Sequence, residues 1–367
     1  MHIPFCVRKC GYCAFYSEPI GQRDPQPVLT AILDEFSRYA PTESVRTLYI
    51  GGGSPTCLPP LMLCDFLAAL TDRIGRPEEF TVECNPTQAD EKLFAALRRC
   101  GVNRLSIGAQ SFNAEELATL GRLHTPAAIE QAVAAARDAG FDNIGLDVIV
   151  AIPGATRDTL ARTLDKAIAL SPTHISAYCL TREAGTPLTA AMEAGRIHAV
   201  DEDEERAMTK QVWRTLSAAG FGQYEISNFA RSGFECRHNL RYWRNEPVIG
   251  LGPAASGWYR GRRTDNIADI DGYLERIHSG QWAYANIEQP TAIQIAGETA
   301  VLGLRLTEGL SAADFQRKTG FTLDELFADA IAAHCQDGLL ERTATHLRLT
   351  ERGRMLADFV ACDFATA

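Results

Sequence analysis

Short runs of apolar or alternating residues recur along the first 230 positions of the chain, most of them bounded by glycine, proline or asparagine. Runs of this length, rich in β-branched and aromatic residues, are typical of buried β-strands. The strands predicted in this way cover 46–50, 80–84, 103–107, 144–150, 174–180 and 224–227.

Helical periodicity fills the intervals between these strands. One helix has an N-cap at Thr125, a first-turn proline at Pro126 and a terminal glycine at Gly140. Alternating strands and helices predict an α/β fold with a parallel sheet, either a (β/α) barrel, complete or partial, or a doubly wound sheet. The predicted helices cover 28–40, 90–100, 125–140, 156–170 and 201–219.

Beyond residue 298 the alternation of strands and helices stops. Helical patterns at 311–319 and 323–336 are followed by an alternating stretch at 339–349 and by a further helix at 355–359. Helices followed by a β-hairpin predict a small winged-helix-like domain. The predicted domains are therefore 1–230, a connecting segment 231–297, and 298–367.

The net charge of −10 disfavours a dominant nucleic-acid-binding role, because such a role needs a basic surface. No apolar run approaches the roughly 18 residues that span a bilayer, and no signal peptide is recognised. Most of the 11 cysteines are scattered singly and resemble small buried hydrophobic residues of a reducing compartment. We therefore expect a cytoplasmic protein without an integral membrane segment.

Three cysteines near the start of the chain, Cys6, Cys10 and Cys13, form a C-x3-C-x2-C pattern. A [4Fe–4S] cluster usually has four thiolate ligands, so three leave one iron open to an outside ligand. The alternative is zinc with His2 as fourth ligand, but structural zinc sites usually pair two ligand clusters. The absence of a second cluster, and the aromatic Tyr12 within the triplet, favour the iron–sulfur interpretation.

A glycine triplet, Gly51 to Gly53, ends the first long strand and is followed by Ser54 and Pro55. Glycines allow a backbone to approach a ligand closely and expose its N–H and C=O groups. A tight turn without a ligand is the alternative. Further polar residues follow the later strands, where either architecture gathers its functional groups; they are Glu83, Gln110, Asp147 and Thr181.

The cysteine triplet followed by a glycine-rich strand end resembles the radical S-adenosylmethionine (SAM) superfamily. The resemblance implies a partial (β/α) barrel over 1–230 and a [4Fe–4S] cluster whose open iron binds the amino and carboxylate groups of SAM. It also implies a low-potential electron donor, and cleavage of SAM by the reduced cluster to a 5′-deoxyadenosyl radical.

Further stretches resemble the group that contains anaerobic coproporphyrinogen III oxidase. The oxidases carry an extra cysteine just after the triplet, where this chain has Ala14 and Phe15. Residues 238–243 instead match the H-N-x-x-Y-W signature of the HemW-type haem chaperones. The resembling stretches are 2–6, 51–55, 83–86, 101–112, 120–124, 147–154, 174–187 and 224–229.

The resemblance also implies roles for single residues. Cys6, Cys10 and Cys13 bind the cluster and Tyr12 packs beside it. Carboxylates accept hydrogen bonds from ribose hydroxyls or an ammonium, and an arginine pairs with a carboxylate. The implied SAM contacts are Gly52, Gly53, Ser54, Glu83, Gln110, Arg122 and Asp147, with Thr181 and Ser256 at less fixed positions.

His238 is the haem ligand that the resemblance implies, because a neutral imidazole is the commonest axial ligand of haem iron. Tyr242 and Trp243 are expected to pack on a porphyrin face. A histidine that satisfies a local turn, or Cys236 as a thiolate ligand, are the alternatives. The implied partners are haem and haem-accepting apoproteins.

Two departures from the family pattern stand out. The family usually has several residues before the His-Ile-Pro-Phe-Cys run, so we expect the true start to lie upstream of Met1. Ser256 stands where the family usually has a histidine.

Besides the chaperone, an oxygen-independent coproporphyrinogen III oxidase and a related radical SAM methylase remain alternatives. Whether the chain is an enzyme, and its oligomeric state, stay open at this point.

Overall fold

The computed structural model describes residues 1–39, 41 and 44–365. The strands, numbered along the chain, are β1 His2–Ile3, β2 Phe5–Cys6, β3 Glu18–Pro19, β4 Thr47–Gly52, β5 Glu79–Cys84, β6 Arg104–Gln110, β7 Asn143–Val150, β8 His174–Cys179, β9 Gly222–Gln223, β10 Asn228–Ala230, β11 Ser256–Tyr259, β12 Arg262–Asn266, β13 Tyr284–Glu288, β14 Leu310–Ser311, β15 Leu340–Arg342 and β16 His346–Leu349.

The α-helices alternate with these strands through the first part of the chain and predominate at its end. They are α1 Gln26–Tyr39, α2 Pro60–Ile74, α3 Glu91–Arg99, α4 Ala114–Thr119, α5 Pro126–Asp138, α6 Arg157–Ala169, α7 Pro187–Glu193, α8 Glu202–Ala218, α9 Arg237–Trp243, α10 Ile270–His278, α11 Ala292–Leu304, α12 Ala312–Thr319, α13 Leu323–Gln336, α14 Glu351–Arg354 and α15 Ala357–Ala365. No described helix has the length and apolar content needed to cross a membrane.

The main sheet has the strand order β1-β4-β5-β6-β7-β8-β10-β9. The strands from β1 to β8 run parallel to their neighbours, whereas β10 and β9 pair antiparallel at one end. The sheet is therefore open, with β1 at one edge and β9 at the other, and does not close into a full barrel. The predicted partial (β/α) barrel is confirmed.

Alternation along the strands separates an apolar outer layer from a polar interior. On β5, Phe80 and Val82 belong to the main hydrophobic core, while Thr81 and Glu83 point to the opposite face. Because the strands are parallel, the polar side chains at their carboxyl ends meet at one edge of the sheet. The candidate site is therefore expected at the carboxyl ends of the parallel strands.

The predicted strand at 224–227 was wrong. These residues connect β9 to β10, and the Glu225 carboxylate accepts a hydrogen bond from the Ser227 amide at 3.0 Å. This local bond turns the chain, so that the strand forms later and runs antiparallel. The predicted helix at 28–40 is α1, and its last residue, Ala40, lies outside the described residues. The helix α2 and the small sheet β11-β12-β13 were not predicted.

The C-terminal part has its own hydrophobic core, with Phe315, Phe327 and Phe364 among its buried residues. Helices α12 and α13 lead into the antiparallel hairpin β15–β16, and β14 pairs with the other side of β16. This arrangement confirms the winged-helix-like prediction. The boundary at 298 stays a prediction, and α11, which begins before it, contributes Ala296 and Ala300 to this core.

Candidate functional site

A cavity of about 710 Å³ opens at the carboxyl ends of the parallel strands. Small-molecule sites typically measure about 300–1,000 Å³. The cavity brings together the three cysteines of the triplet and most of the predicted SAM contacts. Of the predicted residues, Cys6, Cys10, Cys13, Tyr12, Gly52, Gly53, Ser54, Glu83, Gln110, Arg122, Asp147 and Thr181 line it.

The loop that carries the cysteines is held by backbone hydrogen bonds. The Ser54 amide donates to the Phe5 carbonyl at 2.7 Å, and the Gly53 amide donates to the Ile3 carbonyl at 2.9 Å. Farther along the loop, the Gly11 amide donates to the Leu120 carbonyl at 3.1 Å. The cysteine loop is therefore fixed to the glycine-rich strand end on one side and to the segment after α4 on the other.

Burial raises the pKa of the Cys6 and Cys13 thiols. Arg122 Nη1 donates to the sulfur of Cys10 at 3.6 Å. Within 1–39, 41 and 44–365, no group of three or more histidine, cysteine or acidic residues converges on a position for a single metal ion. In a [4Fe–4S] cube each cysteine binds a different iron. The cysteine sulfurs therefore lie farther apart than the ligand atoms of a single zinc ion do.

The glycine triplet leaves no space for larger side chains. A Cβ at Gly51 would lie 2.4 Å from Glu83 Oε2, and one at Gly53 would lie 2.3 Å from the Phe5 carbonyl oxygen. Gly52 has a φ of 99°, in the region that favours glycine. Bare backbone therefore faces the cavity, as close binding of a polar ligand requires.

Two half-buried carboxyl groups face the cavity, and neither has a cationic partner within 4.0 Å among the described side chains. Burial raises the pKa of Glu83 to about 7, although Tyr49 Oη donates to Glu83 Oε1 at 2.8 Å. Burial also raises the pKa of Asp147, which accepts from Ser106 Oγ at 3.2 Å. A cationic ligand would stabilise these groups in their ionised form.

Gln110, at the distorted end of β6, and Arg122, in the segment between α4 and α5, border the cavity. The pairing of β6 with β7 shifts register between Ile107 and Gln110, and Gln110 has a φ of 64°, which is uncommon for a residue with a side chain. Arg122 Nη2 donates to the Gly108 carbonyl at 2.7 Å, while its buried Nε has no hydrogen-bond partner among the described residues. An N–H of the guanidinium thus remains for a carboxylate ligand.

Several cavity residues were not predicted from the sequence, among them Tyr49, Arg104 and Tyr178. Arg104 is fully buried, and no described carboxylate forms an ion pair with it. All three alternate with core residues on predicted strands, and that alternation is the signal that would have placed them on the inner face.

His238 lies on α9 and lines neither this cavity nor the second one described below. Its Nδ1 lies 2.9 Å from Thr47 Oγ1. The ring stacks on Tyr49, with centroids 5.4 Å apart, and meets the ring of Tyr242 edge-on at 5.3 Å. Burial lowers the pKa of His238 to about 3, so the imidazole is neutral.

The alternative ligand, Cys236, is buried beside the start of α9. Its sulfur donates to Glu79 Oε1 at 3.5 Å, and burial raises the pKa of the thiol to about 11. The same carboxylate accepts from the amides of Arg237 and His238 at 2.9 Å each. Glu79 therefore caps the N-terminus of α9 and keeps Cys236 as a thiol.

The remaining predicted residues lie elsewhere. Tyr242, Trp243 and Ser256 line a second cavity of about 660 Å³, which shares Tyr178 and Asn239 with the first. Ser256 Oγ donates to Asp265 Oδ1 at 2.6 Å. The structure therefore does not bring Ser256 together with the other predicted SAM contacts.

Comparison with known proteins finds relatives that match this chain over nearly its whole given sequence. Residues 1–167 match the family model of the radical SAM superfamily, and residues 291–356 match that of the HemN C-terminal domain. The heme chaperone HemW of Bacillus subtilis is 35% identical, over 98% of this chain and 97% of its own. The chain belongs to the HemW family. The HemW of Escherichia coli is 32% identical to this HemW-family chain, over 97% of it and 94% of its own length.

A solved structure supports the fold of this HemW-family protein. Coproporphyrinogen III oxidase (HemN) from Escherichia coli, a radical SAM enzyme, superposes with a TM-score of 0.86. The alignment covers 100% of this chain and 89% of that one at 22% sequence identity. The two proteins therefore share the partial barrel and the C-terminal domain.

Proposed function

We propose that this protein is a cytoplasmic haem chaperone that carries a [4Fe–4S] cluster, binds SAM beside it and delivers haem to apoproteins. The observation that carries the proposal is the match to proteins named heme chaperone HemW over 98% of the chain. The HemW relative from Mycobacterium tuberculosis is 36% identical over 92% of its own length. This extent includes the barrel, the connecting segment and the C-terminal domain.

The first cavity supports the cluster and SAM. Cys6, Cys10 and Cys13 would hold the cluster, which when bound and reduced would supply an electron to the sulfonium of SAM. The electron comes from a low-potential donor. Glu83 and the exposed backbone at Gly52 receive the ligand's ammonium, and Arg122 receives its carboxylate. Tyr12 packs beside the cluster, and the remaining contacts proposed for SAM in this cavity are Gly53, Ser54, Gln110, Asp147 and Thr181.

Haem binding is assigned to His238, Tyr242 and Trp243. The imidazole of His238 is neutral, and its Nδ1 contact with Thr47 leaves Nε2 for iron. A hydrogen bond to the second ring nitrogen is the usual way in which proteins orient a metal-binding histidine. Tyr242 packs edge-on against the imidazole and is 43% exposed, so its displacement opens a path to His238 from the second cavity.

The decisive experiment titrates the purified, cluster-reconstituted protein with haem and follows the Soret absorption. We expect saturable binding, transfer of the haem to an apo-haemoprotein, and weaker binding by His238→Ala. His278→Ala is the matched control, because His278 is exposed on α10. Wild-type protein that takes up no haem would contradict the proposal.

Coproporphyrinogen III oxidase activity is tested on the same preparation, because the fold of HemN is shared. The protein is incubated anaerobically with coproporphyrinogen III, SAM and a low-potential reductant. We expect no vinyl product, since Ala14 and Phe15 line the cavity where the oxidases have their extra cysteine. Formation of vinyl product would show that the protein is a coproporphyrinogen III oxidase and would overturn the assignment as a chaperone.

A further inference from the structure

The second cavity lies between the barrel and the C-terminal core. Its volume of about 660 Å³ falls within the range of small-molecule sites. Its walls come from α9, from the β11–β12 hairpin and from the end of α11. An antiparallel bridge between Val248 and Trp258 holds the hairpin against the segment that follows α9.

The lining is mainly apolar and contains four large aromatic side chains, one of which is Tyr178, shared with the first cavity. Tyr242 and Trp243 come from α9, and Trp258 comes from β11. Val248 and Leu302 add aliphatic surface. Aromatic and aliphatic surfaces of this kind bind flat, apolar ring systems by stacking and by excluding water.

Two arginines border the same cavity. The guanidinium of Arg305 lies over the ring of Trp243, 4.7 Å from its centroid. Its Nε is buried and has no hydrogen-bond partner among the described residues, and its ion-pair partner Asp358 lies 3.8 Å away with a 99% exposed side chain. Arg263 is held by Glu298 at 2.6 Å.

Other buried polar atoms of the cavity lack partners as well. Glu225 is fully buried, and its Oε2 has no hydrogen-bond partner among the residues described. The same holds for Asn228 Oδ1 and for Trp243 Nε1. Of these atoms only Trp243 Nε1 is a donor, and a carboxylate ligand would supply the partner that this buried N–H lacks.

We propose that the second cavity is the seat of the tetrapyrrole, with the ring against Tyr242, Trp243 and Trp258 and the propionates on Arg305 and Arg263. This inference rests on the proposed haem chaperone function and adds its ligand-binding residues. A planar, delocalised guanidinium pairs with a carboxylate through two parallel hydrogen bonds, and Arg305 has an N–H available for this. The ligand class is a flat macrocycle that carries carboxylates.

The test compares haem with haem dimethyl ester, whose propionates are blocked, on the full-length, cluster-reconstituted protein. Hydrogen bonds between a guanidinium and a carboxylate are charge-assisted, so wild type should bind haem at least about tenfold more tightly than the ester. Arg305→Gln should weaken haem binding about tenfold, leave ester binding unchanged and remove this preference. Arg305→Lys should retain part of it.

Trp258→Ala should weaken the binding of haem and of its ester alike, because it removes ring contact and no charge. Arg244→Gln is the matched control: Arg244 follows α9, pairs with Glu308 at 3.4 Å and does not line the cavity. Thermal unfolding of each variant identifies any that fail to fold.

The outcomes separate the two proposals. Wild type that binds no haem overturns the chaperone function and this site together. Wild type that binds haem, with Arg305→Gln and Trp258→Ala folded and binding both ligands as wild type does, overturns the site alone. Equal affinity of wild type for haem and its ester overturns the role of the arginines.

Discussion

Arg122 Nη1 donates a hydrogen bond to the sulfur of Cys10 across 3.6 Å. Hydrogen bonds to cluster sulfurs stabilise the more negative, reduced cluster and so raise its reduction potential. Arg122→Gln should therefore lower the potential in an anaerobic redox titration. It should also weaken SAM binding by about 10-fold or more, because the carboxylate partner is lost. Arg73→Gln, on an exposed part of α2, should change neither property.

Cys10→Ser should abolish stable cluster binding, because only two thiolates of the triplet remain. The expected result is loss of the visible iron–sulfur absorption and of most of the iron after reconstitution. The control is Cys362→Ser, since Cys362 is an exposed free cysteine on α15. A Cys10 variant that retains its iron would contradict the assignment of the triplet.

Glu83→Gln should change how stability depends on pH. Burial raises the pKa of Glu83 in the folded protein to about 7, against about 4.3 in an unfolded chain. Between about pH 4.3 and 7 the folded state therefore holds a proton that the unfolded chain has lost, and Glu83 lowers stability as pH rises through this range, by up to about 4 kcal/mol. Thermal melts should show that Glu83→Gln lacks this decline, whereas Glu91→Gln, exposed on α3, retains it.

The raised pKa of Glu83 also predicts how SAM binding depends on pH. A cationic ligand pairs with ionised Glu83, so SAM affinity should increase as pH rises through about 7. The Glu83→Gln variant should bind more weakly and with a flatter profile. Isothermal titration of the reconstituted protein across this range measures both. A wild-type profile as flat as that of the variant would exclude Glu83 as the group that meets the cation.

Gly53→Ala should destabilise the protein by about 3 kcal/mol, at the upper end of overpacking effects. The added Cβ would meet the carbonyl oxygens of Phe5 at 2.3 Å and Ile3 at 2.7 Å, and backbone cannot yield as a flexible side chain does. Urea unfolding compares this variant with Gly21→Ala, whose Cβ would meet nothing within 4 Å. Equal stabilities would show that the cysteine loop adapts freely.

Thr47→Val should weaken haem binding about tenfold if His238 binds the iron, because it removes the partner of Nδ1 that orients the ring. The Soret position should shift as well, which a general loss of stability would not cause. Thr71→Val is the control, since Thr71 bonds only within α2. Unchanged binding by Thr47→Val would argue against His238 as the ligand.

The sequence predicted the parallel strands and the polar residues at their ends because alternation and turn residues are local features. The neighbourhood of His238 was not predictable in the same way. It depends on Glu79 capping α9 from a strand more than 150 positions earlier. Arg104 was not singled out, although its position on the predicted strand 103–107 alternates with core residues. Trp258 lies on a hairpin whose sequence shows no strong alternation of apolar and polar residues. The other residues of its cavity come from different segments of the chain.

The backbone amides of Gly51, Gly53 and Ser54 all donate hydrogen bonds to the chain before Cys6, and these bonds bear on how the site can change. The backbone that faces the ligand also anchors the loop of the cluster, with 2.7 Å between the Ser54 amide and the Phe5 carbonyl. A lineage that ceased to cleave SAM would still need these glycines to keep its iron. The glycine triplet is therefore explained by the anchoring of the cysteine loop alone, and its presence is no evidence that SAM is turned over.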